Sequence, residues 1–168
     1  MSALVLRDLA VGYDGRPAVE SLSGRVEPGA MLAVVGPNGA GKSSLMKALI
    51  RQLRPLAGSV TLGLPASDVA YLPQAAEIDA TFPINVYDFV AMGLWRRIGL
   101  WRGVDAAGRA AVAEALADVG LEGFEARPIR ALSGGQRQRM LFARLALQEA
   151  RLILLDEPFA AVDERTVG

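Results

Sequence analysis

The spacing of apolar and polar positions changes period several times along this 168-residue chain. Residues 3 to 35 predict short strands separated by turns. Leu4, Leu6 and Leu9 with Val5 and Val11 are β-compatible, Gly12-Tyr13-Asp14-Gly15 is a turn, and Pro28-Gly29 is a second one. The apolar run Met31-Leu32-Ala33-Val34-Val35 then predicts a strand. From Lys42 the spacing turns helical, with Leu45, Leu49 and Leu53 four apart, and Arg54-Pro55 ends that helix because the residue before proline disfavours the α region. Ser59–Leu62 and Val69–Leu72 predict two further strands, with Gln74 just beyond the second. After Phe82-Pro83 the pattern is helical: Val86, Phe89 and Val90 share a face and Gly93 is expected to close the turn. Asp105 is placed to cap a helix with Val112, Leu116 and Val119 on one stripe and Gly120 as its stop. Ser133 starts another helix running to about Glu149, with Met140, Ala143 and Leu147 inward. Four consecutive apolar residues, Leu152-Ile153-Leu154-Leu155, predict a parallel strand buried on both faces, with Asp156 and Glu157 at its C-terminal end, where open α/β sheets place ligands.

Composition narrows the function. With 52% hydrophobic and 21% charged residues the chain can bury a core. Its 18 basic and 18 acidic residues balance, so no global field advertises a nucleic acid or an anionic bilayer. Cysteine and histidine are absent, which excludes disulfides and thiolate or imidazole metal ligands and leaves a hard, oxygen-liganded ion such as Mg²⁺. The first residues lack the pattern of a signal peptide, and no apolar run reaches the roughly 18 residues of a membrane span. A cytoplasmic location is expected, with any membrane role exercised by docking on something that spans it.

The chemistry starts at Gly36-Pro37-Asn38-Gly39-Ala40-Gly41-Lys42-Ser43, between the predicted strand and the predicted helix. Glycines there let successive backbone N–H groups curl around an anion, and the following helix adds unpaired N–H groups and the positive end of its dipole. Lys42 brings a full charge for β- and γ-phosphates, and the Ser43 hydroxyl is placed to ligand Mg²⁺. Combined with a strand ending in Asp156-Glu157, this phosphate loop specifies a nucleoside triphosphatase: Asp156 holds Mg²⁺, directly or through water, and Glu157 polarises the attacking water. Tyr13, beside a turn, either packs or stacks on a nucleobase. The run from Leu94 to Arg102, with Trp95 and Trp101 among arginines, either contacts another protein or buries both tryptophans between helices.

These residues together resemble the ATP-binding subunits of ABC transporters. Leu132-Ser133-Gly134-Gly135-Gln136 matches that family's signature motif, Gln74 its Q-loop glutamine, Asp156 and Glu157 its second Walker motif, and Val162-Asp163 its D-loop, all in the family's order. The resemblance covers essentially the whole chain. It implies an α/β P-loop NTPase fold with a mostly parallel core sheet, an N-terminal antiparallel β subdomain and a helical insertion. Residues 1–83 would form the nucleotide-binding core and β subdomain, 84–148 the helical subdomain, and 149–168 the return to the core. It further implies ATP and Mg²⁺ as cofactors, with ATP held by Tyr13, by Gly36 through Ser43 (Gly36, Pro37, Asn38, Gly39, Ala40, Gly41, Lys42, Ser43) and by Ser44. Mg²⁺ would lie at Ser43, Gln74 and Asp156, and Glu157 and Gln74 would serve catalysis. A second anion-receptive helix start at Ser133 is more than one γ-phosphate needs. The resemblance explains it by two copies pairing head to tail, so that Leu132, Ser133, Gly134, Gly135 and Gln136 of each close over the ATP of the other.

The partners implied are a transmembrane permease subunit, a second ATPase subunit and an extracytoplasmic solute-binding protein, on the inner face of the cell membrane and without nucleic acid. The segment Tyr71-Leu72-Pro73-Gln74, Ile78-Asp79, Phe82-Pro83, Val86, Asp88, Val90 and Met92-Gly93 is similar to that of zinc and manganese importer ATPases; ferric-siderophore and haem importers share part of it. A soluble ABC ATPase of DNA repair or translation, or a nucleotide-binding regulator without turnover, are the other readings. The family's switch histidine has no counterpart here, since the chain has no histidine and ends at Gly168. A C-terminally shortened chain, with weak ATP binding or slow hydrolysis, is the resulting expectation.

Overall fold

The structure, a computed structural model, describes residues 2–73, 79, 82–99 and 103–156. The chain forms two compact units, residues 1–69 and 70–168.

The first unit is built on a hairpin of β1 (Leu4–Tyr13) and β2 (Arg16–Val26), with β3 (Ala57–Leu62) on the other side of β1, all antiparallel. Asp14 and Gly15 join the hairpin at φ 52° and 72°, the pair of positive values that suits the right-handed twist of the flanking strands. The register shifts between Leu6 and Leu9, where Asp8 bulges at φ 43° and its amide and carboxylate both bond the Ser23 hydroxyl. Leu9 and Val11 are fully buried, and α1 (Lys42–Leu49) packs against β1 and β2 through Leu45, Ala48 and Leu49. Each of these buried leucines and Val11 contributes about 1.5–3 kcal/mol.

Two expectations for this unit need correction. The helix stops at Leu49 instead of Leu53. Arg51 adopts φ 63°, and the Gln52 and Leu53 amides turn back to the Lys47 carbonyl while Arg51 bonds Ala48, a Schellman ending that apolar spacing does not reveal. Residues 31–35 form no strand among the described residues. Ladder bonds require a neighbour, none is supplied, and Val35 is 87% exposed.

The second unit is mainly helical. Its core gathers Val86, Phe89 and Val90 of α2 (Val86–Ala91), Val112 and Leu116 of α4 (Ala106–Asp118) and Met140 and Leu141 of α5 (Gly134–Leu147), with Ala70 and Leu72 of β4 (Val69–Leu72). Asn85 and Asp105 cap α2 and α4 by accepting the Asp88 and Gly108 amides. Gly120, at φ 66°, follows the end of α4 as its spacing predicts. Gly93, by contrast, closes no turn: a short 3₁₀ segment, Met92–Leu94, runs on into α3 (Trp95–Ile98). A Cβ at Gly93 would lie 2.5 Å from the Arg144 carbonyl, so the glycine is there for close approach to α5. Arg144 itself stacks 5.0 Å from the Phe89 ring, and burial lowers its pKa.

β5 (Leu152–Leu155) pairs with β4. Asp156, just past the end of β5, donates its amide to Leu72, the last residue of β4, so the two strands run in the same direction. Leu154 is buried but Ile153 is 50% exposed, which corrects the expectation of a strand covered on both faces: β4 is its one neighbour among the described residues. Trp95 is 45% exposed and so is not buried between helices, whereas Trp101 lies outside the described residues. The fold is of the α/β class, with antiparallel and parallel strands in separate sheets.

Candidate functional site

The candidate residues fall in both units. In the first, the loop from Gly36 to Gly41 is exposed up to Ala40 and enters α1 through Gly41. Gly39 and Gly41 have φ of 83° and 84°, a conformation that L side chains rarely adopt. At Gly41 space forbids a side chain as well: a Cβ would stand 2.8 Å from Val19 Cγ2 and 3.0 Å from Ala18 Cβ of β2. The Ala40 amide donates to the Pro37 carbonyl across the turn. Lys42 folds back over the loop, its Nζ donating to the Gly36 and Pro37 carbonyls at 3.0 Å each.

A helix start of this kind suits an anion. Gly41 offers no side chain to cap α1, the first turn contains no acidic residue, and the first N–H groups of any helix lack intrahelical acceptors. Ser43 follows Lys42 within that turn and Ser44 is buried. Tyr13, the last residue of β1, pairs with Arg16 at the hairpin end and is 53% exposed, so it is not committed to packing.

In the second unit the signature residues also form a helix start. Leu132 is buried and Ser133 caps α5. The Ser133 hydroxyl oxygen accepts the Gln136 amide at 3.2 Å, and the Gln136 Oε1 accepts the Ser133 amide at 2.9 Å, a reciprocal capping box. Capping uses Ser133 as an acceptor, while its O–H proton is chemically able to donate to an anion. Gly134 and Gly135 form the exposed first turn, and nothing lies within 4 Å of a Cβ built on Gly135.

Asp156 is 3% exposed at the C-terminal end of β5. Its Oδ2 accepts a hydrogen bond from the Tyr71 hydroxyl at 3.2 Å, and its amide is held by Leu72. An ionised carboxylate this buried needs hydrogen bonds or a cation, and oxygen is the donor Mg²⁺ prefers. Among the described residues no cluster of three or more acidic side chains could hold a metal ion. A buried carboxylate at the end of a strand is an oxygen donor that fits a Mg²⁺ arriving with phosphate oxygens. Gln74, Glu157 and Asp163 lie outside the described residues.

Tyr71, read in the sequence only as part of a similar segment, is the polar residue to which that reading gave no chemical role. Its signal was the alternation in Val69-Ala70-Tyr71-Leu72, which sends Ala70 and Leu72 into the helical core and leaves the tyrosine on the other face. Only the pairing of β4 with β5 shows what that face meets.

A family model described as ABC transporter matches residues 19–160. The manganese transport system ATP-binding protein MntA of Synechocystis sp. is 40% identical across 98% of this chain and 69% of its own length. The zinc transport system ATP-binding protein TroB of Treponema pallidum is 39% identical across 98% of this chain and 64% of its own length. This chain thus spans about two thirds of such relatives. The fold is shared with CbiO1 from Clostridium perfringens, part of the ABC transporter complex cbiONQ, at a TM-score of 0.74 and 24% identity over 95% of this chain and 66% of that one.

Proposed function

From the premise that the chain belongs to the ABC transporter family, we propose that it is the ATP-binding and ATP-hydrolysing subunit of an importer for a divalent metal ion, zinc or manganese. The observation that carries the ATPase reading is the pair of glycine-containing helix starts, at Gly41 and Ser133, each suited to phosphate and each on a different unit. The metal reading rests on the likeness to the manganese and zinc ATP-binding proteins across nearly the whole chain.

In this reading the backbone from Gly36 to Gly41, with Ser43 and Ser44, receives the triphosphate, and Tyr13 stacks on adenine. Lys42 already lies across the loop, so it exchanges two carbonyl acceptors for phosphate oxygens. Ser43, Gln74 and Asp156 hold Mg²⁺, which when bound neutralises charge on the β- and γ-phosphates. Glu157 takes the proton of a water whose oxygen attacks the γ-phosphorus as the bond to the bridging oxygen breaks. Help of this kind is worth about 10²–10⁴-fold in rate. Ser133, Gly134 and Gly135 serve the ATP of a second copy, with Gln136 holding Ser133 in place. Once the γ-phosphate leaves, the contact that favoured the closed pair is gone.

The subunit would sit on the cytoplasmic face, docked on a transmembrane permease and served by an extracytoplasmic solute-binding protein. No helix among the described residues is long and apolar enough to cross a membrane. The test is ATP turnover by the intact protein reconstituted with its permease. Solute-binding protein loaded with Mn²⁺ or Zn²⁺ should stimulate it, and Lys42→Ala should abolish nucleotide binding. Stimulation by a ferric chelate alone would overturn the metal assignment, and a Lys42→Ala protein with parent-like MgATP affinity would overturn the ATPase site.

A further inference from the structure

We propose that Tyr71 is a positioning residue for the metal: its hydroxyl holds the Asp156 carboxylate in the orientation a divalent cation requires. This rests on the reading of Asp156 as a Mg²⁺ holder. Two adjacent residues of β4 grip Asp156 from different sides. Leu72 accepts its main-chain amide at 3.0 Å and Tyr71 donates to its Oδ2 at 3.2 Å, across 85 residues of sequence. With the main chain pinned by the strand pairing, the carboxylate cannot rotate without breaking the phenol bond.

The donor type matters as much as its place. A lysine or arginine there would neutralise the carboxylate and compete with the cation, whereas a phenol supplies a hydrogen bond and no positive charge. Burial strengthens the case, because at 3% exposure the carboxylate has little access to bulk water that could take over the same task. Tyr71 is itself part-buried. Hydrogen bonds that orient a metal-binding carboxylate typically change metal affinity by about 10–100-fold when removed.

The experiment is a Mn²⁺ titration of the intact, ADP-loaded protein followed by electron paramagnetic resonance, comparing the parent with Tyr71→Phe and Asp156→Asn. Tyr71→Phe is expected to weaken Mn²⁺ binding about tenfold and alter the line shape of bound Mn²⁺, with ADP affinity in the absence of metal unchanged. Asp156→Asn should weaken Mn²⁺ at least as much. If Asp156→Asn weakens Mn²⁺ and Tyr71→Phe binds it as the parent does, the positioning role is overturned while the role of Asp156 stands. Parent-like Mn²⁺ affinity in Asp156→Asn overturns the reading of Asp156 and this inference with it. Melting without metal checks folding; Tyr71→Met, which also lacks the donor, takes the place of Tyr71→Phe if that variant is unstable.

Discussion

At residue scale the phosphate loop combines two constraints that act through different physics. Gly41 is held to glycine by its φ of 84° and also by the side chains of Ala18 and Val19 against its missing Cβ. Gly39, at φ 83° with open space around it, answers to the first constraint alone. Gly41→Ala should therefore destabilise the chain by more than the ~1–2 kcal/mol of a left-handed backbone, and Gly39→Ala by about that amount. Urea unfolding of the two variants measures the difference; equal losses would show that contact with β2 contributes nothing. The positive φ values were legible in the sequence because a glycine-rich turn before a helix implies them. The packing of Gly41 on β2 was not, since Val19 lies outside any local window.

At element scale the ends of helices follow local rules when a side chain makes the cap and escape them when the backbone does. Asp105, Asn85 and Ser133 accept amides three residues on, a spacing that sequence displays directly. The end of α1 is different. Arg51 is forced to φ 63° by the Schellman ending, at a position where glycine is the usual occupant. Arg51→Gly is expected to stabilise the protein by up to ~1 kcal/mol through relief of that backbone strain, read as a raised melting temperature. A lower melting temperature would mean that the arginine side chain contributes more than the strain removes. Gly93 makes the converse point: a glycine that reads as a stop is a packing residue inside a continuous helical run, because α5 comes too near for a Cβ.

At the scale of the molecule, each unit carries a helix start suited to phosphate, and the proposed function needs the two starts to come from different copies. The intact Glu157→Gln protein with ATP and Mg²⁺ is therefore expected to sediment as a dimer, and as a monomer without nucleotide. Adding Ser133→Ala should weaken that dimer, and a Glu157→Gln protein that stays monomeric with saturating ATP would remove the paired arrangement. By itself the sequence determined the family, the phosphate loop, the signature cap and the alternation of strands and helices. Each is written in consecutive residues or short spacings, where turn conformation, capping and periodicity are decided. The tertiary structure alone decided that, among the described residues, 31–35 have no ladder partners and β5 has β4 as its one neighbour, and that Tyr71 meets Asp156. Burial and strand pairing are relations between elements far apart in the chain, and no local pattern specifies which neighbour arrives.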